Sequence, residues 1–294
     1  MTVLTRRRFL TIAAAGGAVA ACPVSARTPV ARWTGRALGA GASMQLVGLG
    51  GDAAAEIFAQ VEAEILRLEA VFSLYDPQSE LSRLNQDGTL AGPSFDFLQV
   101  LSLSNRLNVA TKGRFDPSIQ SLWHAKATGG DLEAAMALVG WHNVHFESSR
   151  ITVGRGQSLT FNGIAQGYIT DKIAALLRGH GLSDVLVDMG EVMGLGNRPD
   201  GTPWKLGVAA PDGQILHRVQ LSDRALATSA THGTVLAGGP HILDPKGDGG
   251  QPVLVSVSAP SAALADGLST ALCLTDETQR VLSQFPKAEL ILRA

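Results

Sequence analysis

Apolar residues recur at Ile57, Val61, Ile65, Leu68 and Phe72, with Glu56, Glu62 and Glu64 on other faces, a spacing that predicts an amphipathic helix. A second helix is predicted after Pro93 and Ser94, with Val100, Leu103, Leu107 and Ala110 on one side and Gly113 as its stop. A short helix over 131–139 follows. Another begins at Ala165, carries Ile169, Ile173, Leu176 and Leu177, and is closed by Gly179 and Gly181. A last pair covers 261–274 and 277–284. Between these the pattern changes to alternation or to short β-branched runs at 44–47, 144–146, 151–153, 158–161, 184–189, 204–209, 215–221, 225–229 and 253–258, with a terminal strand around Leu290. The rest of 28–51 is Gly- and Ala-rich, 73–85 reads as a polar loop with a short helical turn, and the segment around Trp123 is looser. So many short strands, separated by Gly, Pro and Asp turns, predict an α+β fold with largely antiparallel sheets and no evident domain boundary.

The stretch from Thr160 to Asp171 is the organising corner, where a strand is predicted to turn directly into a helix. Gly163 and Gly167 leave two places without a Cβ, and a helix start offers unpaired N–H groups. Two readings stay open: a cradle for an anion or metal, and tight packing, the commoner use of glycines four apart. On the predicted 261–274 helix, Asp266 and Thr270 lie one turn apart on a side otherwise made of Ala262, Ala263, Gly267 and Ser269. A carboxylate and a hydroxyl on a covered face can supply oxygens to a hard cation or brace a neighbouring loop. His241, on an extended piece before Asp244 and Pro245, is a candidate general base. Ser229, Thr231 and His232 lie upstream, without the G-x-S-x-G elbow of a serine nucleophile. H-E-x-x-H, C-x-x-C and a Rossmann G-x-G-x-x-G are absent, which argues against a zinc site and a dinucleotide-binding fold.

Composition narrows the class. Hydrophobic residues make up 45% of the 294 and charged residues only 17%, enough for a substantial core, and a net charge of −2 without a Lys/Arg stripe excludes a nucleic-acid surface. The N-terminus is the exception. Arg6, Arg7 and Arg8 precede an Ala/Gly-rich run to Ala21, the pattern of a twin-arginine signal whose apolar region is too short and weak to span a membrane. Cleavage is expected before Cys22, in a lipobox-like Val19-Ala20-Ala21-Cys22 whose cysteine would tether the protein to a membrane, or after Ala26, following Val24-Ser25-Ala26. Residues 1–26 are thus read as signal and 27–294 as one mature domain outside the cytoplasmic membrane. Removing the three arginines takes the net charge from −2 to −5. Cys273, in an apolar helical pattern, reads as a buried small hydrophobe rather than half of a disulfide.

Seven pieces in order carry a family resemblance: Ser73-Leu74-Tyr75-Asp76 through Asn85, Gly113 to Pro117, Asn162 to Asp171, Val187 to Gly190, Ala227-Thr228-Ser229, His241 to Pro245, and Ala265 to Thr270. Together they resemble the ApbE family of FAD:protein FMN transferases over nearly the whole mature chain. The resemblance implies binding of FAD with Mg²⁺ and transfer of FMN through a phosphoester to a Thr or Ser of a target protein, with release of AMP. It implies Gly163, through its carbonyl, Asp266 and Thr270 as metal ligands, and His241 as the base. Leu38, Tyr75, Arg114, Phe115, Asp116, Thr160 and Gln166 match pocket positions. Thr160 and Gln166 stand where the family usually has Asp and Lys, and Glu191 where it has Gly. The export signal and the Asn-Gly-Ile-Ala-Gln-Gly and Ala-Thr-Ser-Ala pieces resemble the NosX branch, whose implied acceptor is the membrane protein NosR of nitrous oxide respiration. An FAD pyrophosphatase and a non-catalytic flavin-binding maturation factor are the alternatives.

Overall fold

The computed structural model describes residues 10–12, 28–210, 212–233, 235–236, 239–247 and 253–294. The arginine triplet, Cys22, Val24–Ala26 and Gly238 lie outside the described residues. Leu10–Ile12 pairs antiparallel with Leu206–Val208.

A seven-stranded sheet is the frame. Its strands are β1 (Val30–Ala37), β2 (Ala40–Val47), β6 (Val185–Asp188), β7 (Val192–Leu195), β10 (Arg224–Ala230), β11 (Leu254–Ala259) and β12 (Glu289–Arg293), in the order β12-β11-β10-β7-β6-β2-β1. The helices are α1 (Gly51–Phe72), α2 (Glu80–Asp87), α3 (Phe95–Ala110), α4 (Gln120–Thr128), α5 (Leu132–Met136), α6 (Ala165–Gly179), α7 (Ala262–Leu272) and α8 (Thr278–Leu282). A small sheet combines β3 (Thr89–Ala91), β4 (His145–Glu147) and β5 (Arg150–Thr152), and the hairpin of β8 (Trp204–Ala209) and β9 (Ile215–Leu221) forms another with Leu10–Ile12. Every strand pairing among the described residues is antiparallel, as the short strand spacing predicts.

Both faces of the large sheet are covered, which explains why its middle strands are apolar throughout. Val185 and Val187 of β6, Met193 of β7 and Ala225 and Ala227 of β10 join the core under α1, α3, α6 and α7. Leu186, Val192 and Leu226 point the other way, onto Trp204, Leu206 and Val208 of the β8–β9 hairpin.

Three expectations are corrected. Residues 30–37, hidden in a Gly/Ala-rich stretch, form a full strand because they pair along their whole length with β2. The turn between them is two residues, Leu38 at φ 46° and Gly39 at φ 77°, the doubly left-handed geometry that fits the twist of a hairpin. The looser segment around Trp123 is α4. Residues 158–161 are not a strand: the Asn85 side-chain amide donates to Leu159 O (2.8 Å) and accepts from Leu159 N (2.7 Å), and Thr160 N donates to Pro117 O (2.9 Å). A side chain and a loop thus take the place of a neighbouring strand. Phe161 then anchors the corner, its ring edge-on to Phe97 (5.3 Å) and Phe72 (6.0 Å).

The corner meets α7 through close contact of helix on helix. A Cβ on Gly167 would lie 2.3 Å from the carbonyl oxygen of Ala262, so only glycine allows the approach. Asp171, one turn further along α6, accepts hydrogen bonds from Ala262 N (2.7 Å), Ala263 N (2.9 Å) and Ser261 Oγ (2.7 Å), capping the start of α7 from a neighbouring helix. For Gly167 the packing reading therefore holds.

Gly167→Ala should cost about 2–3 kcal/mol by forcing the helices apart, a fall of roughly 5–10 °C in melting temperature. Gly179→Ala, at the far end of α6 with nothing within 4 Å of the added carbon, should be neutral or gain up to about 1 kcal/mol. Thermal denaturation of the two variants checks the contrast, and equal behaviour would contradict it.

Candidate active site

The α6–α7 crossing brings the three predicted metal-ligand residues together. Gly163 lies just before α6, and a Cβ there would sit 2.9 Å from Thr270 Cγ2 and 3.0 Å from Thr270 Oγ1. Asp266, 1% exposed, stands one turn before Thr270 on α7 and accepts from Gly167 N at 3.2 Å. The amide expected to greet an anionic ligand thus greets a carboxylate of the protein itself. One carboxylate, one hydroxyl and a glycine backbone, packed where a side chain at Gly163 would fill the space, form a hard oxygen set suited to a cation that keeps its remaining ligands as water or phosphate. Among the described residues no three His, Cys, Asp or Glu side chains gather as metal ligands. That leaves the oxygen set as the one suited to a hard ion rather than to zinc or copper.

One pocket joins most of the predicted residues. Leu38, Tyr75, Arg114, Phe115, Asp116, Thr160, Gly163, Gln166, His241 and Thr270 all line it, while Asp266 is buried one helical turn from Thr270 and is not among the lining residues. Leu38 holds its left-handed backbone in this wall and donates its N–H to Glu69 Oε1 (2.7 Å), so the strained turn is tied to α1. Tyr75 stands at the rim, 76% exposed, on a loop fixed by Ser73: its hydroxyl accepts from Tyr75 N and Asp76 N, and its carbonyl accepts from Ser79 Oγ and Ser82 Oγ. Gln166 is buried against Gly190, where a Cβ would lie 2.7 Å from the Gln166 amide and where φ is 112°.

Two predicted pocket residues are committed within the protein. Asp116 accepts from Ser118 N (2.8 Å), Ser118 Oγ (2.6 Å) and Trp141 N (3.0 Å), so it shapes the wall as the cap of a short turn. Burial pushes its carboxyl above the usual range, against the pull of these donors. Arg114 forms an ion pair with Asp244, joining the loop after α3 to the segment that carries His241. Sequence spacing could not show this pairing across 130 positions.

His241 follows the pairing of Val235–Leu236 with Gly239–Pro240 and is fixed by Thr231, whose carbonyl accepts from His241 N (3.0 Å) and Nδ1 (3.1 Å). A carbonyl can only accept, so Nδ1 carries the proton and Nε2 is the basic nitrogen of the neutral ring. Pro117, Ile119, Trp123, Ile242, Leu243 and Leu274 add apolar lining that the sequence reading missed. Trp123 and Ile119 went unseen because α4 and the turn before it have no strong period.

The fold and this pocket define a class: an α+β protein built on one large antiparallel sheet, with an oxygen-rich corner, a fixed histidine and an apolar cleft. The chain belongs to the ApbE family, whose sequence pattern matches residues 38–292. It is 27% identical to an FAD:protein FMN transferase of Haemophilus influenzae over 254 residues, covering 74% of this chain and 72% of that one. It is likewise 27% identical to one of Chlamydia trachomatis, over 80% of this chain and 82% of that one. Among solved structures, the Pseudomonas stutzeri flavinyl transferase ApbE in its apo form matches at TM-score 0.77 with 25% identity, covering 91% and 92% of the two chains. The Vibrio cholerae flavin transferase ApbE matches at TM-score 0.79 over 90% and 94%, with 23% identity.

Cys273 lies behind the site, 5% exposed, its thiol directed at Ser229 O (3.6 Å), and burial pushes its pKa up to about 12. In a Cys22→Ser protein, the remaining thiol should therefore be silent to a disulfide reagent at pH 8 and react fully in denaturant. Fast reaction of the native protein would contradict the burial.

Proposed function

We propose that this chain is a Mg²⁺-dependent FAD:protein FMN transferase, exported by the twin-arginine route to act in the periplasm on a NosR-like membrane electron-transfer protein. What carries the reading is the convergence of Gly163, Thr270 and His241 on one apolar-walled pocket, with the buried Asp266 one helical turn from Thr270, in a chain whose curated relatives are FAD:protein FMN transferases. The export assignment rests on Arg6-Arg7-Arg8 and the Ala-rich run behind them, and a lipid anchor at Cys22 is its variant form.

Charge gives a physical reason for the metal. FAD carries a diphosphate, yet among the described residues that line the pocket Arg114 is the one Lys or Arg, and it is paired with Asp244. Asp266, Thr270 and the Gly163 backbone would hold a cation, which would supply the missing positive charge at the diphosphate. The apolar walls and the rim tyrosine receive the ring systems. His241 Nε2 takes the proton of an acceptor Thr or Ser hydroxyl. That oxygen bonds to the flavin-side phosphorus, the bond to the adenylate oxygen breaks, and AMP leaves with its phosphate charge. One phosphoester forms as one phosphoanhydride is lost.

The test is to incubate the purified protein with FAD, Mg²⁺ and the periplasmic domain of a NosR-type acceptor, reading acceptor mass and released nucleotide. An acceptor heavier by one FMN, with AMP in equal amount, is expected. Free FMN with AMP and no adduct would identify a pyrophosphatase, and bound, intact FAD a carrier.

Asp266→Asn keeps an acceptor for Gly167 N and should fold normally while losing about a hundredfold or more of transfer, the scale of removing a charge-stabilising group. His241→Ala should lose transfer to protein by about a hundredfold or more and spare slow release of AMP to water. Equal loss of both would overturn the acceptor-base role.

A further inference from the structure

Three hydroxyls stand behind the Asp266–Thr270 face, and their proton positions follow from donor counting. Ser269 Oγ lies 3.0 Å from the carbonyl oxygen of Asp266, which can only accept, so Ser269 spends its single proton there. In its 2.8 Å contact with Ser229 Oγ, Ser269 must therefore accept, and Ser229 spends its proton on Ser269. In the 3.1 Å contact between Ser229 and Thr270 Oγ1, the donor is then Thr270. Ser269 and Asp266 are almost completely buried and Ser229 is 8% exposed, so water is a poor competitor for these bonds.

We propose that Ser229, on β10, is a positioning residue that turns the Thr270 hydroxyl proton away from Gly163, so that the oxygen presents its lone pairs to the cation site. The inference rests on the cation reading of that site. A ligand hydroxyl must offer a lone pair, and one free to rotate spends part of its time with the proton pointing at the ion. The chain from Thr270 through Ser229 and Ser269 to the Asp266 carbonyl fixes the productive orientation with no charge in the network. It also explains why a serine, rather than another alanine, occupies this place in a strand whose other buried residues are Ala225, Leu226, Ala227 and Ala230. Outer partners of metal ligands act in this way, and losing one typically weakens metal binding about 10–100-fold.

The experiment titrates Mn²⁺ into the FAD-free protein and counts free ion by electron paramagnetic resonance. Ser229→Ala should weaken binding about tenfold with little change in melting temperature in the presence of chelator. Ser269→Ala, which releases the next link, should weaken it too. Thr270→Val should weaken binding by itself, and adding Ser229→Ala to it should cost nothing further, because the hydroxyl being oriented is gone. Wild-type affinity in Ser229→Ala, or a Ser229→Ala loss that persists in full beside Thr270→Val, would overturn the relay while leaving the cation site in place. Unchanged binding in Thr270→Val would overturn the cation reading and the relay together.

Discussion

The close crossing of α6 and α7 is the constraint on which the site depends. Gly167 lets the backbones meet at Ala262, and Asp171 holds the start of α7 by accepting three hydrogen bonds. The three predicted cation ligands lie along this seam: Gly163 just before α6, and Asp266 and Thr270 on the second and third turns of α7. A glycine whose side chain is missing for packing reasons, and another whose missing side chain opens the site, stand four residues apart and do different work. The site's precision therefore comes from rigid helices rather than from loops, and the loops supply the walls.

Those walls explain the pocket's chemistry. On one side the 38–39 turn and the Tyr75 loop are tied to α1 and α2 by Glu69 and by the hydroxyls of Ser79 and Ser82. On the other, the Arg114–Asp244 pair joins two long loops, and α4 and α5 pack Leu122, Ala125 and Ala135 against Leu243. Arg114 is paired with Asp244, and Asp116 is held by Ser118 and Trp141. The cleft can thus accept large aromatic rings, while a diphosphate in it needs charge from elsewhere.

Much of this was legible in the sequence, for reasons visible in particular residues. The stripe of Ile57, Val61, Ile65 and Leu68 gave α1, and the isolated side of Asp266 and Thr270 marked a covered polar face, because helical period and burial leave clear traces. Strand β1 left no such trace: its run Val-Ala-Arg-Trp-Thr-Gly-Arg-Ala shows no clean apolar alternation, and its pairing with β2 is decided by a tight turn with Leu38 in a conformation that leucine rarely takes. The run 158–161 reads as a strand and is not one, since Asn85 supplies the hydrogen bonds a neighbouring strand would give. Long-range partners such as Arg114 with Asp244, or Ser229 with Thr270, have no local signature at all.

The central claim is that the α6–α7 seam holds the cation that serves a bound FAD. A crystal structure of the protein with FAD and Mn²⁺, read by anomalous scattering, tests it most directly. The account predicts one anomalous peak among the Asp266 carboxylate, Thr270 Oγ1 and the Gly163 carbonyl, in contact with the diphosphate. A diphosphate seated in the pocket with the metal elsewhere, or with Arg114 released from Asp244 to take the metal's place, would contradict it.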